Sequence, residues 1–305
     1  MPMVDVSVIV VNHNTKGLCA QAIAAVHAAT HLASYEVIVI DNSTREQERI
    51  QDVGEMAAHV AARSAGDVSY ACGCITLLHV NNHGFGHACN AGATKARGRY
   101  LLFLNPDTAI DDGAIDRSVE HMDADVGIGA LGIKTALADG SIDHASKRGF
   151  PTPFNALCHL LGIDRLFPRC KLFGGYRLAY LDPNKTIDVD AVSGSFILAR
   201  NQLFSSLGGF DEEYFMYGED IDLCWRIKGA GYRVVYFAGA SMCHLKGQSG
   251  LHTDDPVVRG RFYESMGIFY DKRLRHAYGP LMAFAVHVGI RVCRRFALSR
   301  RSPAT

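Results

Sequence analysis

Val6-Ser7-Val8-Ile9-Val10-Val11, running straight into Asn12-His13-Asn14-Thr15, is the stretch on which the fold turns. A short, almost unbroken β-branched run reads as a strand buried on both faces. The pattern then repeats. A helical stretch from Leu18 to Ala29 leads to Glu36-Val37-Ile38-Val39-Ile40, which stops at Asp41-Asn42-Ser43. After a polar segment come Ile75 to Val80, an Asn/Gly loop, a short helix from Ala88, and Tyr100-Leu101-Leu102-Phe103-Leu104 ending in Asn105-Pro106-Asp107. Buried strands separated by helices predict an α/β fold, a Rossmann-like and mostly parallel central sheet flanked by helices. Ligands bind such sheets beyond the carboxyl ends of the strands, where Asn12, Asp41, Asn81 and Asp107 begin the loops.

Outward from this core the pattern loosens near Asp116, and residues 134–190 mix Gly, Pro, Asp and aromatics like a loop-rich substrate region. Order returns with Val192 to Ala199, Gly208 to Glu212, Tyr217 to Arg226, Tyr232 to Tyr236 and His244 to Ser249. The length of 305 residues with 48% apolar content fits one large globular domain or two fused halves. The expected division is a nucleotide-binding half (1–115), an acceptor-binding and catalytic half of the same domain (116–258), and a helical tail (259–305).

Lys+Arg and Asp+Glu both total 31, a balance that argues against a nucleic-acid partner. The charge is unevenly placed. From Arg259 onward ten cations face only Glu264 and Asp271, so the tail carries +8 and the preceding residues −8. Leu281, Ala285, Val288, Val292 and Phe296 form an apolar helical stripe, with His287, Arg291, Arg294 and Arg295 gathered on another side. A basic amphipathic helix predicts attachment to an anionic membrane surface. Packing on the domain and a homodimer contact are the alternatives.

Several readings fall away. Gly84-Phe85-Gly86-His87-Ala88-Cys89 lacks the third glycine of a dinucleotide fingerprint and follows the third strand, and no phosphate loop occurs. Cys72 and Cys74 with His79, His83 and His87 match no standard zinc spacing, so ordinary thiols are expected there. Nine cysteines and no charged-then-apolar leader before Val6 suggest reduced thiols in a cytoplasmic enzyme. The longest apolar run, Leu281 to Ile290, is half a membrane span and contains His287.

Five motifs then occur in order: Val39-Ile40-Asp41-Asn42-Ser43, Leu104-Asn105-Pro106-Asp107, Gly208-Gly209-Phe210-Asp211-Glu212, Gly218-Glu219-Asp220-Ile221-Asp222-Leu223-x-x-Arg226, and His244-x-x-Gly247-x-Ser249. In this order, from about Val4 to Ser249, the chain resembles the family 2 inverting glycosyltransferases of GT-A fold, particularly the bacterial rhamnosyltransferase branch. The resemblance implies a nucleotide-sugar donor and a lipid-linked or glycan acceptor.

The chemistry of such a reaction explains the residue types. A departing diphosphate needs its charge neutralised, and Mg²⁺ or Mn²⁺ does this through carboxylate and phosphate oxygens together. Asp107, at a central strand's end, is suited to hold the ion. Where the family has Asp-x-Asp, this chain has Asn105, a neutral amide that weakens direct metal binding. His244 is implied as a second ligand or a diphosphate contact. Asp41 is implied to accept from the base or ribose, and Asn12, Asn14, Asn82, Gly84, Asn90 and Asn105 to line the nucleotide pocket. A plain strand-ending turn is the alternative for Asp41. An acceptor hydroxyl needs a carboxylate to take its proton. The resemblance gives that role to Asp220, with Glu219 orienting the acceptor or exchanging roles with it. The acids Glu219, Asp220 and Asp222 should raise one another's pKa. Trp225, Arg226, Lys246 and Ser249 are expected to touch acceptor or diphosphate, although Asp222 and Arg226 also suit an intrahelical ion pair. The implied donor is dTDP-L-rhamnose and the implied acceptor a polyprenyl-diphosphate-linked N-acetylhexosamine, at the inner face of the bacterial plasma membrane. A UDP-hexose transferase and a non-catalytic nucleotide- or carbohydrate-binding protein are the rivals.

Overall fold

A computed structural model describes residues 4–63, 75–245 and 256–299. The first half contains β1 (Val4–Asn12), α1 (Lys16–Ala29), β2 (Tyr35–Asp41), α2 (Val53–Ala61), β3 (Ile75–His79), α3 (Phe85–Ala93) and β4 (Gly98–Leu104). There follow β5 (Thr108–Ile110), α4 (Ala114–Ala124), β6 (Ile128–Leu137), α5 (Pro153–Leu160), α6 (Ile163–Leu166) and β7 (Ile187–Val189). Then come β8 (Phe196–Arg200), α7 (Asn201–Ser206), α8 (Glu219–Gly229) and β9 (Arg233–His244). The tail is α9 (Pro256–Phe269), a π-helical turn (Tyr270–Leu274) and α10 (Arg275–Ser299).

One sheet runs β3-β2-β1-β4-β8-β6-β9-β5, with β7 on the flank of β9. The strands β3, β2, β1 and β4 are parallel. The return strand β8 is antiparallel to both β4 and β6, and β6 and β9 are parallel again. Alternate residues of β1 serve opposite faces: Val6, Val8 and Val10 join one buried cluster, Ile9 and Val11 the other. Both sides of the strand are therefore dry, as its unbroken apolar sequence requires.

The second half is more regular than its sequence suggests. α4 and the ten-residue β6 lie where the pattern appeared to loosen. Gly129 and Gly132 hid β6, and each is there because a neighbour occupies its side-chain space. A Cβ on Gly132 would lie 2.6 Å from Val192 Cβ, and one on Gly129 would lie 2.6 Å from Ile227 Cγ2.

The tail helix α10 breaks at Gly279 (φ 73°), just before Pro280. Beyond the break Ala283 is buried and Val286 packs on the core, while Leu281 (82% exposed), Phe284, Val288, Val292 and Phe296 face outward. The helix is thus packed on the domain by one face and presents its apolar stripe on the other. Among the described residues no helix is long and apolar enough to cross a membrane.

Candidate active site

The parallel register aligns Asn12 with Asp41 and Asp41 with His79 at one sheet edge. There the polar side chains are consumed by the fold. Asp41 Oδ1 accepts from the Ser43 amide at 2.9 Å and from Asn12 Nδ2, and Oδ2 accepts from the Ile50 amide at 2.6 Å. Asn12 Nδ2 also donates to Ser43 Oγ and to the Glu48 carbonyl, and its Oδ1 accepts from the Thr15 amide. Both residues are buried. Asp41 therefore organises a strand-ending turn, with a backbone donor on each oxygen. Asn12 ties the same turn together. Asn14, in the left-handed region at φ 58°, caps the same loop by accepting from the Thr44 and Arg45 amides.

The next loop behaves the same way. Asn82 Oδ1 accepts from the Gly84 amide at 3.3 Å. Gly84 is at φ 110°, and a Cβ there would sit 2.4 Å from the Phe215 carbonyl oxygen. Asn90 clamps Phe210, accepting from its amide at 2.8 Å and donating to its carbonyl at 2.9 Å, with a further bond to Glu212. These three residues fasten the start of α3 to the Gly208–Phe215 loop.

Past β4 the arrangement changes. The Asn105 amide donates to the Ser195 carbonyl at 3.1 Å, tying the Asn-Pro-Asp turn to the start of β8. β5 pairs with the end of β9, placing Thr108 opposite His244. Asp107 and His244 are both buried, with Asp107 Oδ1 3.1 Å from His244 Nε2. On the ring's other side Asp143 Oδ2 lies 3.7 Å from Nδ1. Asp143, which the sequence did not single out, caps a single 3-10 turn at His144–Ser146 through the Ala145 amide.

α8 supplies the remaining acids. Tyr217 (φ 69°) and Gly218 (φ 86°) turn the chain through two left-handed residues into the helix. Glu219, Asp220 and Asp222 then occupy its first turn, where the free amides and the helix dipole favour negative charge. Asp220 Oδ2 accepts from the Gly194 amide at 3.0 Å and forms a close ion pair with Arg148 Nη2. Burial alone would lower the Arg148 pKa, but the neighbouring Asp220 carboxylate holds it above the usual guanidinium range. The like-charge effect expected of the cluster is seen at Glu219. Burial first, and Asp220 second, push its carboxyl well above the ordinary range.

Asp222 points elsewhere. It is fully buried and bonded to Arg226 Nε at 2.7 Å and Arg273 Nε at 2.6 Å. Arg226 also donates to the Leu207 carbonyl, and the intrahelical ion pair that its spacing suggests is present. Trp225 packs its ring on Phe150 at 4.6 Å and on Phe269, which makes it part of the core wall. Lys246 and Ser249, together with Cys72 and Cys74, lie outside the described residues. The described cysteines are free thiols.

Site residues missed in the sequence are Arg148, Gly194 and Asp143. Arg148 lies 72 positions from Asp220, and no local pattern announces a partner at that range.

Two family models match this chain. Glycosyl transferase family 2 matches residues 7–156, and glycosyl transferase family group 2 matches residues 184–303. Both matches support a glycosyltransferase of family 2. A family 2 relative in Mycobacterium tuberculosis, an N-acetylglucosaminyl-diphospho-decaprenol L-rhamnosyltransferase, is 35% identical over 150 residues, which is 49% of this chain and 48% of that protein. The Escherichia coli rhamnosyltransferase WbbL is 30% identical over 172 residues, 53% of this chain and 61% of WbbL. The match thus spans about half the length of the mycobacterial relative. Among solved structures, a Pyrobaculum calidifontis mannosyltransferase in complex with GDP-Man and Mn²⁺ superimposes with a TM-score of 0.59 at 15% identity, covering 96% of this chain and 71% of that one. The fold is GT-A.

The donor set can be tested against the divalent cation that the fold family implies. Among the described residues no group of three or more His, Cys, Asp or Glu could hold a metal ion. Asp107 and His244 offer one carboxylate and one imidazole side by side. That fits an ion taking one or two protein ligands and completing its shell from substrate phosphates and water. It does not fit a self-sufficient protein cage.

Proposed function

We propose that the protein is an inverting glycosyltransferase that moves L-rhamnose from dTDP-L-rhamnose to a hydroxyl of a polyprenyl-diphosphate-linked N-acetylhexosamine. The observation that carries this reading is the Asp220 carboxylate at the head of α8, fixed through Oδ2 by Arg148 and the Gly194 amide. Gly194 leads into β8, whose start is tied to the Asn105-Pro106-Asp107 turn. The base and the metal–diphosphate ligands therefore approach the same strand ends. The two rhamnosyltransferase relatives support the donor, and the mycobacterial relative's name supports the acceptor.

Asp220 takes the proton of the acceptor hydroxyl, and the resulting oxygen nucleophile attacks the anomeric carbon from the face opposite the diphosphate. One displacement inverts that carbon without a covalent intermediate. Arg148 keeps the carboxylate from rotating, so its acceptor-facing lone pair is aimed before substrate arrives. Asp107 and His244 would hold Mg²⁺ or Mn²⁺, which when bound neutralises charge on the leaving dTDP. The outward stripe of α10, flanked by Arg291, Arg294 and Arg295, supports a peripheral location on the inner face of the plasma membrane.

The test is a donor screen by mass spectrometry with a lipid-linked N-acetylglucosamine acceptor and Mg²⁺ or Mn²⁺. Rhamnosyl transfer from dTDP-L-rhamnose is the expected result. Transfer from a UDP-hexose alone would replace the donor, and absence of transfer together with no thermal shift by dTDP or UDP would sink the transferase reading.

A further inference from the structure

The excursion between Phe150 and Gly175 has a surface that the transferase chemistry leaves unexplained. Six large apolar side chains, Phe154, Leu157, Leu161, Leu166, Phe167 and Leu172, are each between 46% and 74% exposed. The first three fall at i, i+3 and i+7, one face of α5 and its end. Arg165, Arg169 and Lys171 are exposed among them. The one acid in the stretch, Asp164, is buried and paired with His159 at 2.7 Å. The surface is therefore apolar and cationic with no exposed carboxylate.

This surface is built, not a stray loop. Thr152 caps α5 by accepting from the Asn155 amide, and Pro153 opens the helix. The neck closes where the Gly149 amide donates to the Tyr176 carbonyl at 2.8 Å. A Cβ on Gly149 would meet the Gly175 carbonyl oxygen at 1.9 Å, so the neck needs glycine. It adjoins Arg148, which pairs with Asp220, and Phe150, which packs on Trp225.

The geometry points to this excursion as a docking face for an anionic phospholipid surface, set beside the acceptor side of the catalytic carboxylate. Exposed Leu and Phe enter the acyl boundary while the three cations meet lipid phosphates, the combination that interfacial segments use. A second copy of the chain fits less well. A two-fold contact would set this cationic patch against itself with no acid to offset it, and interface cores are poor in lysine. The inference deepens the reading of a lipid-linked acceptor and is independent of the outward stripe on α10.

The experiment is flotation of the full chain with phosphatidylglycerol/phosphatidylcholine vesicles and with phosphatidylcholine alone, with no donor or acceptor present. Three variants are compared: Leu157→Ser/Leu161→Ser/Phe167→Ser, Arg165→Gln/Arg169→Gln/Lys171→Gln, and Leu281→Ser/Val288→Ser/Val292→Ser on α10. The first two should each lower binding to anionic vesicles about tenfold or more, the second variant acting only on anionic ones, with Tm unchanged. Unchanged binding in both, or loss only in the α10 variant, overturns the proposal. A fall in light-scattering mass without a change in vesicle binding also overturns it and assigns the face to a second copy. Vesicle binding needs no turnover, so its failure is distinguishable from a failure of the donor screen.

Discussion

Asp41, at the end of β2, and Asp220, in the first turn of α8, are two acids in family-typical motifs, yet their exposure differs. Asp41 has no exposed side-chain surface, and its two oxygens are met by Ser43, Asn12 and Ile50. Asp220 keeps 11% of its side chain exposed, with Oδ2 held by Arg148 and the Gly194 amide and Oδ1 accepting from the Ile221 amide at 2.8 Å. A carboxylate held at both oxygens yet still reached by solvent is oriented and keeps lone pairs for an incoming hydroxyl. The acid at the end of β2 is thus closed off from solvent, and the acid at the head of α8 is not.

The largest effect should come from Asp220→Asn. Asparagine keeps an oxygen for Arg148 and Gly194 but cannot accept a proton, so turnover should fall about 10²–10⁴-fold, and Tm should fall as well because buried Arg148 loses its charge partner. Asp222→Asn, two positions along, should cost stability with the smaller effect on turnover. It weakens a buried carboxylate shared by Arg226 and Arg273, and removing one partner of such a group costs about 3–5 kcal/mol. Steady-state kinetics beside thermal melts of the two variants would read this directly. Full turnover in Asp220→Asn would remove the base assignment.

A smaller effect, and of the opposite kind, is expected at Asp41→Asn. The amide supplies one acceptor oxygen where two are used, and its NH₂ would face a backbone donor, at Ser43 or Ile50. The cost should be about 1–3 kcal/mol, read as a Tm lower by roughly 3–8 °C. Weaker dTDP binding with an unchanged Tm would show instead that Asp41 meets the nucleotide, and the contrast drawn above would fail.

That contrast was only partly legible beforehand. The β1, β2, β3 and β4 runs are local patterns, so the parallel half of the sheet could be read from residue order. β6 could not, because Gly129 and Gly132 answer to Val192 and Ile227, which are distant in sequence. The motifs located Asp107, Asp220 and His244, but they gave no sign of the partners of Asp41 and Arg226 at Ile50, Ser43, Leu207 and Asp222. Arg148 left no trace, since an arginine in a loop-rich stretch looks solvated until a 72-residue separation is closed. The outward turn of the α10 stripe was also invisible, for periodicity defines a face without saying what covers it.

The subtlest test separates Glu219 from Asp220. Burial and the adjacent Asp220 push the Glu219 carboxyl up to about 8, against an ordinary value of 4.5 in the unfolded chain. A carboxyl with a raised folded-state pKa stabilises the fold fully below its unfolded value, and that contribution is lost as pH rises through the folded one. A glutamine side chain cannot ionise, so Glu219→Gln should melt close to wild type near pH 4.5 and gain on it steadily as pH rises toward about 8. Above that the gap should level off at about 3 °C or more. A gap independent of pH would mean that Glu219 is ionised throughout and that the acidic cluster is balanced by its cations. Turnover supplies the second reading. With Asp220 as the base, Glu219→Gln should lose less than about tenfold, because an amide still orients an acceptor hydroxyl. A loss as deep as that of Asp220→Asn would exchange the two roles, since only the proton acceptor needs a titratable oxygen.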